Sequence, residues 1–238
     1  MPHRRPSALL LRLAGHRTGT SQQAILAELR RVILDGGVPP GTPIPVNDVA
    51  ELFGVSTIPV RESLKTLTAE GLVAHQLNVG YSVAQLTASE LAEMYLVRET
   101  LESAALAAAV NLATDADRRH VTEVHSVLET AVREDDSLTY HRQSRAFHLG
   151  LTRPAGMLRL LHMLETAWNI TEPVQLMVHA EPAQRALLQQ DHQRMLDAYL
   201  RVDAETLLLV SAEHNRRLNA VVTSLPAGTG LVAHDPVN

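Results

Sequence analysis

The segment from Gly41 to Gly80 constrains the fold of this chain more than any other. Its pattern predicts a short helix, a tight turn and a second helix. Asn47 is expected to cap the first helix, Gly54 to end it in the left-handed geometry that glycine tolerates, and Ser56 to cap the second. Alternating apolar and polar residues on either side of Asn78 then predict a two-stranded hairpin. A helix pair followed by such a hairpin is a winged helix-turn-helix, which places its second helix in the major groove of DNA.

Residues 44–73 resemble the DNA-binding domain of GntR-family transcriptional regulators. The family pattern is close to LPSE-x-x-LA-x-x-x-GVSRTPVREAL-x-x-L-x-x-EGLV, and this chain has IPVNDVAELFGVSTIPVRESLKTLTAEGLV. The glycines, the Pro-Val-Arg-Glu run and the Glu-Gly-Leu-Val exit fall in register. Asn47 replaces the usual glutamate, and Thr57 stands where many members carry a base-reading arginine. The resemblance therefore implies a DNA-binding domain with its own sequence preference.

The second helix and the wing tip are expected to carry the DNA contacts. Arg61 is the expected bidentate partner of a guanine, Ile58 would contact a thymine methyl group, and Lys65 would contact a phosphate. Residues at the wing tip would enter the minor groove or touch the DNA backbone. The alternative for Arg61 is an intramolecular ion pair with Glu62 or Glu70. The expected DNA contacts are Ser56, Thr57, Ile58, Arg61, Lys65, Asn78 and Gly80.

Composition favours helices packed on helices. Hydrophobic residues make up 45% of the 238 residues and aromatic residues only 3%. The chain has no cysteine, which excludes disulfides and thiolate metal sites and favours a cytoplasmic protein. The apolar run near Arg12 is too short to span a bilayer, so no membrane partner is expected. Residues 1–75 carry a net charge of +2 within a chain of net charge −5, which is compatible with phosphate contact through the N-terminal part alone.

The predicted fold is mostly α, with an N-terminal winged helix-turn-helix and a C-terminal all-α helical bundle. We divide the chain into a basic mobile arm (1–20), the winged helix-turn-helix domain (21–86), a helical effector-binding and dimerisation domain (87–224) and a tail (225–238). A helix that ends at Gly36-Gly37 is expected to support the two-helix motif. The helices of the bundle are predicted over 88–113, 115–136, 138–152, 155–180 with a kink at Pro173, 182–201 and 203–224.

Three histidines carry the strongest chemical signal of the C-terminal half. His148, His192 and His214 each lie on a predicted helix beside apolar neighbours. Three imidazoles that converge in a bundle core would suit Zn²⁺ or a similar ion. Spacing alone favours the alternative, in which the three are separate histidines that form local hydrogen bonds.

Residues 88–224 resemble the FCD ligand-binding domain of the FadR subfamily of GntR regulators. The match rests on YLVRETLESAALAAAV, AFHLGL and DHQRMLDAYLRVDAETLLLVSAEH. The resemblance implies a divalent metal, Zn²⁺ or Ni²⁺, held by the three histidines, and a small carboxylate effector. Metal-binding members usually place an aspartate four residues before the first histidine, where this chain has Ser144. A three-histidine site remains complete enough to bind zinc, with a lower expected affinity.

The resemblance also implies that polar residues of the bundle bind the effector. Arg98 is expected to grip a carboxylate through two hydrogen bonds. Its alternative role is a surface ion pair with Glu102, four residues further on the same helix. The expected effector-binding residues are Arg98, Glu102, Ser144 and Asn169.

Together these features predict a sequence-specific regulator of transcription, with repression favoured by family precedent. A homodimer on an inverted-repeat operator in double-stranded DNA is expected, because two-fold symmetry doubles the few contacts of one winged domain. The alternative is a metal-dependent hydrolase or lyase that uses the three histidines and water. The chain has no HExxH, GxSxG, P-loop or GxGxxG signature, which disfavours an enzyme.

Overall fold

The fold was analysed on a computed structural model that describes residues 9–13 and 21–225. The described residues group into two compact units. The first comprises residues up to Ala88 together with 169–174, and the second comprises 89–168 and 175–225. Most of the predicted arm and nearly all of the predicted tail lie outside the described residues.

The first unit is the winged helix-turn-helix that the sequence predicts. Its elements are α1 (Ser21–Leu34), β1 (Pro43–Ile44), α2 (Val46–Phe53), α3 (Thr57–Ala69), β2 (Val73–Gln76) and β3 (Gly80–Val83). The three strands form an antiparallel sheet of order β1-β3-β2. The short strand β1, which pairs Ile44 with Tyr81, was not predicted.

One apolar core holds this unit together. Helix α1 packs on α3, and α3 packs on β2. Leu9 and Leu13, which fall in the predicted arm, are buried in the same core, so residues 9–13 are packed rather than free. The fully buried members include Ile25, Leu29, Ile33, Val49, Val60, Leu64, Leu67, Leu72 and Val83.

The ends of α2 and α3 were predicted in part. Gly54 ends α2 in the left-handed region, with φ of 62°, as expected. The cap predicted at Asn47 is wrong, because α2 already begins at Val46 and Asn47 lies within its first turn. The N-cap residue is Pro45, which is extended with a ψ of 100°, and a proline disfavours helical geometry at the residue before it. Ser56 is the N-cap of α3 as predicted, but its side chain makes no capping hydrogen bond.

The second unit is built from helices. They are α4 (Ala88–Leu112), α5 (Asp115–Arg133), α6 (Ser137–Thr152), α7 (Leu158–Thr171), α8 (Leu176–His179), α9 (Pro182–Leu200) and α10 (Ala204–Thr223), although the first residue of α4 and the last three of α7 group with the first unit. Helix α5 packs against α6 and α9, and α9 packs against α10. A capping box at Thr114 fixes the start of α5, and Asp136 and Asp203 cap α6 and α10 through their side chains.

The helix predicted over 155–180 is interrupted rather than kinked. Short 3-10 turns cover Arg153–Ala155 and Glu172–Val174, and Gln175 takes a left-handed φ of 49° before α8. Pro173 offers no backbone N–H and disfavours helical geometry at the residue before it. The chain therefore leaves the helix at this point.

None of the helices within the described ranges is both long enough and apolar enough to cross a bilayer.

We predict that Leu64→Ala lowers the free energy of unfolding of the first unit by about 2–5 kcal/mol, because it leaves a cavity in a fully buried site. Leu52→Ala is the matched control, since Leu52 on α2 is 41% exposed and its truncation should cost less than about 1 kcal/mol. Urea denaturation followed by circular dichroism measures both. Equal losses for the two variants would contradict the placement of the core.

Candidate nucleic-acid interface and metal centre

Helix α3 divides into a buried side and an exposed side. Val60, Leu64 and Leu67 face the core of the first unit. The residues expected to contact DNA lie on the opposite side, where Ile58 is 69% exposed. Ser56, Arg61 and Lys65 are also exposed, and Thr57 is half-buried. The helix therefore presents a polar surface with one aliphatic side chain to the solvent.

The ion-pair alternative for Arg61 is wrong. Glu62 accepts a hydrogen bond from Lys65, with 2.8 Å between Oε1 and Nζ. Glu70 is held by Arg30 through two hydrogen bonds of 2.6 and 2.9 Å. Both carboxylates are thus engaged elsewhere, and Arg61 makes no ion pair with any residue that the structure describes. The Lys65–Glu62 pair is exposed, and such pairs contribute at most about 1 kcal/mol, so a phosphate can replace the carboxylate.

The wing is a tight hairpin whose tip is free of the core. Val79 N–H donates to the carbonyl of Gln76 at 3.1 Å and closes the turn. Asn78 has a φ of 64° and Gly80 a φ of 114°, which fits the short polar side chain of one and the missing side chain of the other. Asn78 is exposed, as a contact residue requires.

Three helices of the second unit bring their histidines together. His148 of α6, His192 of α9 and His214 of α10 are all buried. One nitrogen atom from each lies within 4.8 Å of the other two. The ring centroids are 4.7–5.1 Å apart. The alternative of three separate histidines is therefore wrong, and the described residues form a cluster that could hold a metal ion.

His148 is oriented by a carboxylate from another helix. Its Nδ1 contacts the Oε1 of Glu102 on α4, and both side chains are buried. Its Nε2 lies 3.2 Å from the Nε2 of His192. Burial raises the pKa of Glu102, but the His148 ring and the Arg98 charge outweigh burial and bring the pKa below its usual range. Glu102 is thus a carboxylate that turns the Nε2 of His148 towards the cluster.

The other two rings also face oxygen atoms through Nδ1. His192 Nδ1 lies 3.2 Å from Oε1 of Gln189 and 3.4 Å from the hydroxyl of Tyr140. His214 Nδ1 lies 3.9 Å from Oδ2 of Asp191, beyond hydrogen-bond distance. Each ring therefore has an oxygen on its Nδ1 side. For His148 and His192 this leaves the Nε2 atoms pointing at one another.

Burial lowers the pKa of His192 and of His214 well below the ordinary value, and the neighbouring imidazoles lower both further. Both rings are therefore neutral near pH 7. A neutral imidazole that bears its proton on Nδ1 offers a lone pair on Nε2. Neutral imidazole nitrogens are the ligands that zinc and nickel prefer among the side chains present here.

The spacing of the ring nitrogens fits a shared ion. Nitrogen ligands on a tetrahedral zinc ion, at about 2.0–2.1 Å from the metal, lie about 3.3–3.4 Å from one another. The Nε2 atoms of His148 and His192 are 3.2 Å apart. Two lone pairs at that distance repel unless a proton or a cation lies between them. The residues present therefore fit a divalent metal.

Arg98 lies inside the bundle. Its guanidinium carbon is 3.2 Å from the ring centroid of Trp168 and 4.5 Å from that of Tyr95. The predicted surface pair with Glu102 is wrong, because both side chains are buried and Glu102 contacts His148. A buried cation stacked on aromatic faces beside a neutral cluster is suited to binding an anion.

The two remaining effector residues are buried as well. Ser144 lies one turn before His148 on α6. A hydroxyl at this place is a poorer metal ligand than the family's aspartate. Asn169 is buried but groups with the first unit, so its place beside an effector stays a prediction.

Sequence reasoning missed the buried residues that hold the rings. Asp191 is buried beside His192 and forms an ion pair with Arg217 of α10, while Arg194 lies 3.5 Å away. Gln189 links His192 to His125, whose Nε2 is 3.0 Å from the amide nitrogen of Gln189. The one available signal was helical spacing, which puts Gln189 and His192 on one face of α9.

Comparison with known families assigns both units. Residues 93–225 match the FCD domain, and residues 21–83 match the bacterial regulatory proteins of the gntR family. The probable D-xylose utilization operon transcriptional repressor of Paenarthrobacter nicotinovorans is 33% identical over 141 residues, 58% of this chain and 58% of that protein. The gluconate operon transcriptional repressor of Bacillus subtilis is 28% identical over 147 residues, 62% of this chain and 58% of that protein. The chain thus spans somewhat more than half the length of these relatives.

Solved structures share the fold. McbR/YncC of Escherichia coli gives a TM-score of 0.75 at 24% identity, over 87% of this chain and 98% of that one. A GntR transcriptional regulator from Rhodococcus sp. RHA1 gives 0.76 at 22% identity, over 86% and 98%. The matching families and relatives are transcriptional regulators rather than enzymes, so the hydrolase or lyase alternative has no support.

We predict that chelator-treated protein loses stability as the pH falls below about 6.5. The folded state holds His192 and His214 neutral because their pKa values are lowered, whereas the unfolded chain protonates both near pH 6.5. The unfolded state then binds more protons, which lowers the free energy of unfolding by up to about 1.4 kcal/mol per pH unit for each ring. Stability should be full above pH 6.5 and decline below it, as urea titrations at several pH values would measure.

His192→Leu should flatten the slope of stability against pH by about one proton. Stability that does not vary between about pH 7.5 and 5.5 in the wild type would contradict the neutral cluster.

Proposed function

This chain belongs to the GntR family of bacterial regulatory proteins and carries an FCD domain, and from that premise we propose that it is a DNA-binding repressor controlled by a small carboxylate. The effector binds at or near a divalent metal held by His148, His192 and His214. The observation that carries the proposal is the convergence of three buried imidazoles, two of them held neutral by burial, in the same chain as an exposed recognition helix.

Helix α3 supplies the sequence-specific contacts in this proposal. Arg61 is exposed, and the two carboxylates that could have engaged it are bound to other residues. Its guanidinium donates two hydrogen bonds to the O6 and N7 of a guanine. One winged domain makes few contacts, so the protein acts as a homodimer on an inverted repeat in double-stranded DNA. It works in the cytoplasm, where that DNA lies.

The metal is Zn²⁺ or Ni²⁺, because the site offers imidazole nitrogen and no thiolate. When bound, the ion supplies a positive charge that attracts a carboxylate. Neutral imidazole ligands add no charge to the divalent ion, and the nearby Glu102 carboxylate neutralises one of its two positive charges. Arg98 adds another positive charge, since it lies close enough to lower the pKa of Glu102. The interior then carries an excess of positive charge, for which a small anion is the fitting ligand.

Ser144 stands where the family usually has a metal-binding aspartate, and Glu102 partly compensates for that missing carboxylate. The family's aspartate would bind the metal directly, whereas Glu102 acts on the Nδ1 of His148. A carboxylate in that position fixes the tautomer and raises the basicity of the Nε2 atom. Glu102 is therefore a positioning residue for the metal site.

In this proposal, effector binding changes operator affinity through a shift of helix α4. This helix carries both Arg98 and Glu102, and only residues 84–87 separate its start from the end of β3. A carboxylate paired with Arg98 would favour one position of α4, and the chain connection passes that change to the wing. The effect on operator affinity can be no larger than the difference in the effector's affinity for the two arrangements.

We predict that Arg61→Ala removes sequence discrimination at one base pair of each half-site, worth about 1–3 kcal/mol, because a bidentate contact to guanine is lost. Lys65→Ala is the matched control on the same helix. It should weaken binding to all sequences and reduce the slope of log affinity against log salt by about one per contact. Fluorescence anisotropy on a selected operator and its point variants measures both. An Arg61→Ala protein with full operator selectivity would refute the assignment.

We predict that Glu102→Gln lowers the affinity for Zn²⁺ about 10–100-fold, because His148 loses its charged partner. Glu93→Gln is the control, since Glu93 is exposed on the same helix. A His192→Ala, His214→Ala variant should bind no metal at this site. Competition with a chromogenic chelator gives the affinities. A wild-type protein that binds neither Zn²⁺ nor Ni²⁺ would show the metal proposal to be wrong.

A further inference from the structure

The tip of the wing is apolar and exposed. Leu77 is 79% exposed and Val79 is 76% exposed, on either side of the left-handed Asn78. Strands β2 and β3 pair up to Gln76 and Gly80, so only these three residues form the loop. Two large aliphatic side chains at the end of a hairpin cannot be buried by the unit that carries them. These side chains must therefore contact either another molecule or water.

The wing also lacks the charges with which proteins usually contact phosphate. No lysine or arginine occurs between Lys65 and Arg98, a stretch that includes both wing strands and the tip. His75 is exposed on β2, directly opposite Tyr81 on β3, and the two rings contact each other at an interplanar angle of 39°, with centroids 4.4 Å apart. The wing therefore carries aromatic and aliphatic groups but no permanent cation.

The wing nevertheless adjoins the exposed side of the recognition helix. Helix α3 packs on β2, and Lys65 is close enough to Tyr81 for the two to interact electrostatically. Lys65, Tyr81 and His75 thus connect the helix surface to the hairpin. The exposed side of α3 and the wing are therefore neighbouring surfaces.

We propose that the wing tip is an apolar wedge for the minor groove of the operator, with Leu77 and Val79 in van der Waals contact with sugars and base edges. This inference rests on the proposed function and goes beyond it, because it assigns to the wing a contact that releases no counterions. Aliphatic side chains that enter the minor groove partly unstack a base step. The three-residue tip is narrow enough for a groove about 6 Å wide, since the strands behind it lie about 4.8 Å apart.

A protein partner fits these observations less well. Stable protein interfaces bury about 800 Å² on each side, which a three-residue loop does not offer. The charges also assign different roles to helix α3 and to the wing. Contacts to phosphate come from α3, and the wing adds affinity that does not depend on salt.

The test is a salt series on a duplex that the wild-type protein selects from a random-sequence pool. Leu77→Ser, Val79→Ser should weaken binding about tenfold at every salt concentration, which corresponds to the loss of apolar contact equal to about one buried methylene group on each of the two wings. The slope of log affinity against log salt should equal that of the wild type. Lys65→Ala is the contrasting variant, since it should reduce that slope by about one per contact. Both wing side chains are exposed, so circular dichroism should show an unchanged melting temperature.

A second readout detects the wedge itself. With 2-aminopurine in the operator at the step that faces the wing, the wild type should raise the fluorescence by unstacking the base, and the serine variant should not. Equal affinities of wild type and serine variant, or a reduced salt slope in the serine variant, would overturn the wedge and leave the DNA-binding proposal intact. A wild type that selects no sequence from the pool would overturn the proposed function and the wedge with it.

Discussion

The exclusion of water from three imidazole rings is the constraint on which the second unit depends. In water a histidine gains a proton near pH 6.5, but burial holds His192 and His214 neutral. Neutral rings can be packed together without charge repulsion, and the Nε2 atoms of His148 and His192 lie only 3.2 Å apart. The cluster is therefore an arrangement that a proton or a cation would stabilise.

Two of the three rings are held by hydrogen-bond partners that come from particular places in the bundle. Glu102 reaches His148 from α4, while Gln189 contacts His192 from the preceding turn of α9. Asp191 lies beside His214 and is itself held by Arg217 of α10. The geometry of the cluster thus depends on how these helices pack. Since only four residues separate the end of β3 from the start of α4, a change at the cluster has a short covalent route to the DNA-binding unit.

Local sequence signals predicted local structure in part. Gly54 ends α2 as expected, because the end of a helix depends on residues within one turn, whereas the cap predicted at Asn47 lies inside the helix. Partners across the fold could not be predicted in this way. Spacing placed Arg98 beside Glu102, but Glu102 contacts His148, 46 residues away. Periodicity indicated which side of a helix is apolar, and the family resemblance brought the three histidines together, but neither identified the buried groups around them. The same limit explains the error at Pro173, where a predicted kink is a break.

The most direct test of whether the histidine cluster controls DNA binding is to measure operator binding in the presence of a panel of small carboxylates, with Zn²⁺ or with a chelator. We expect at least one carboxylate to change the operator affinity of the wild type, and we expect chelation to remove the effect. A His192→Ala, His214→Ala variant should bind the operator but should not respond to the carboxylate. A variant that responds to the same carboxylate as fully as the wild type would contradict the role of the histidine cluster.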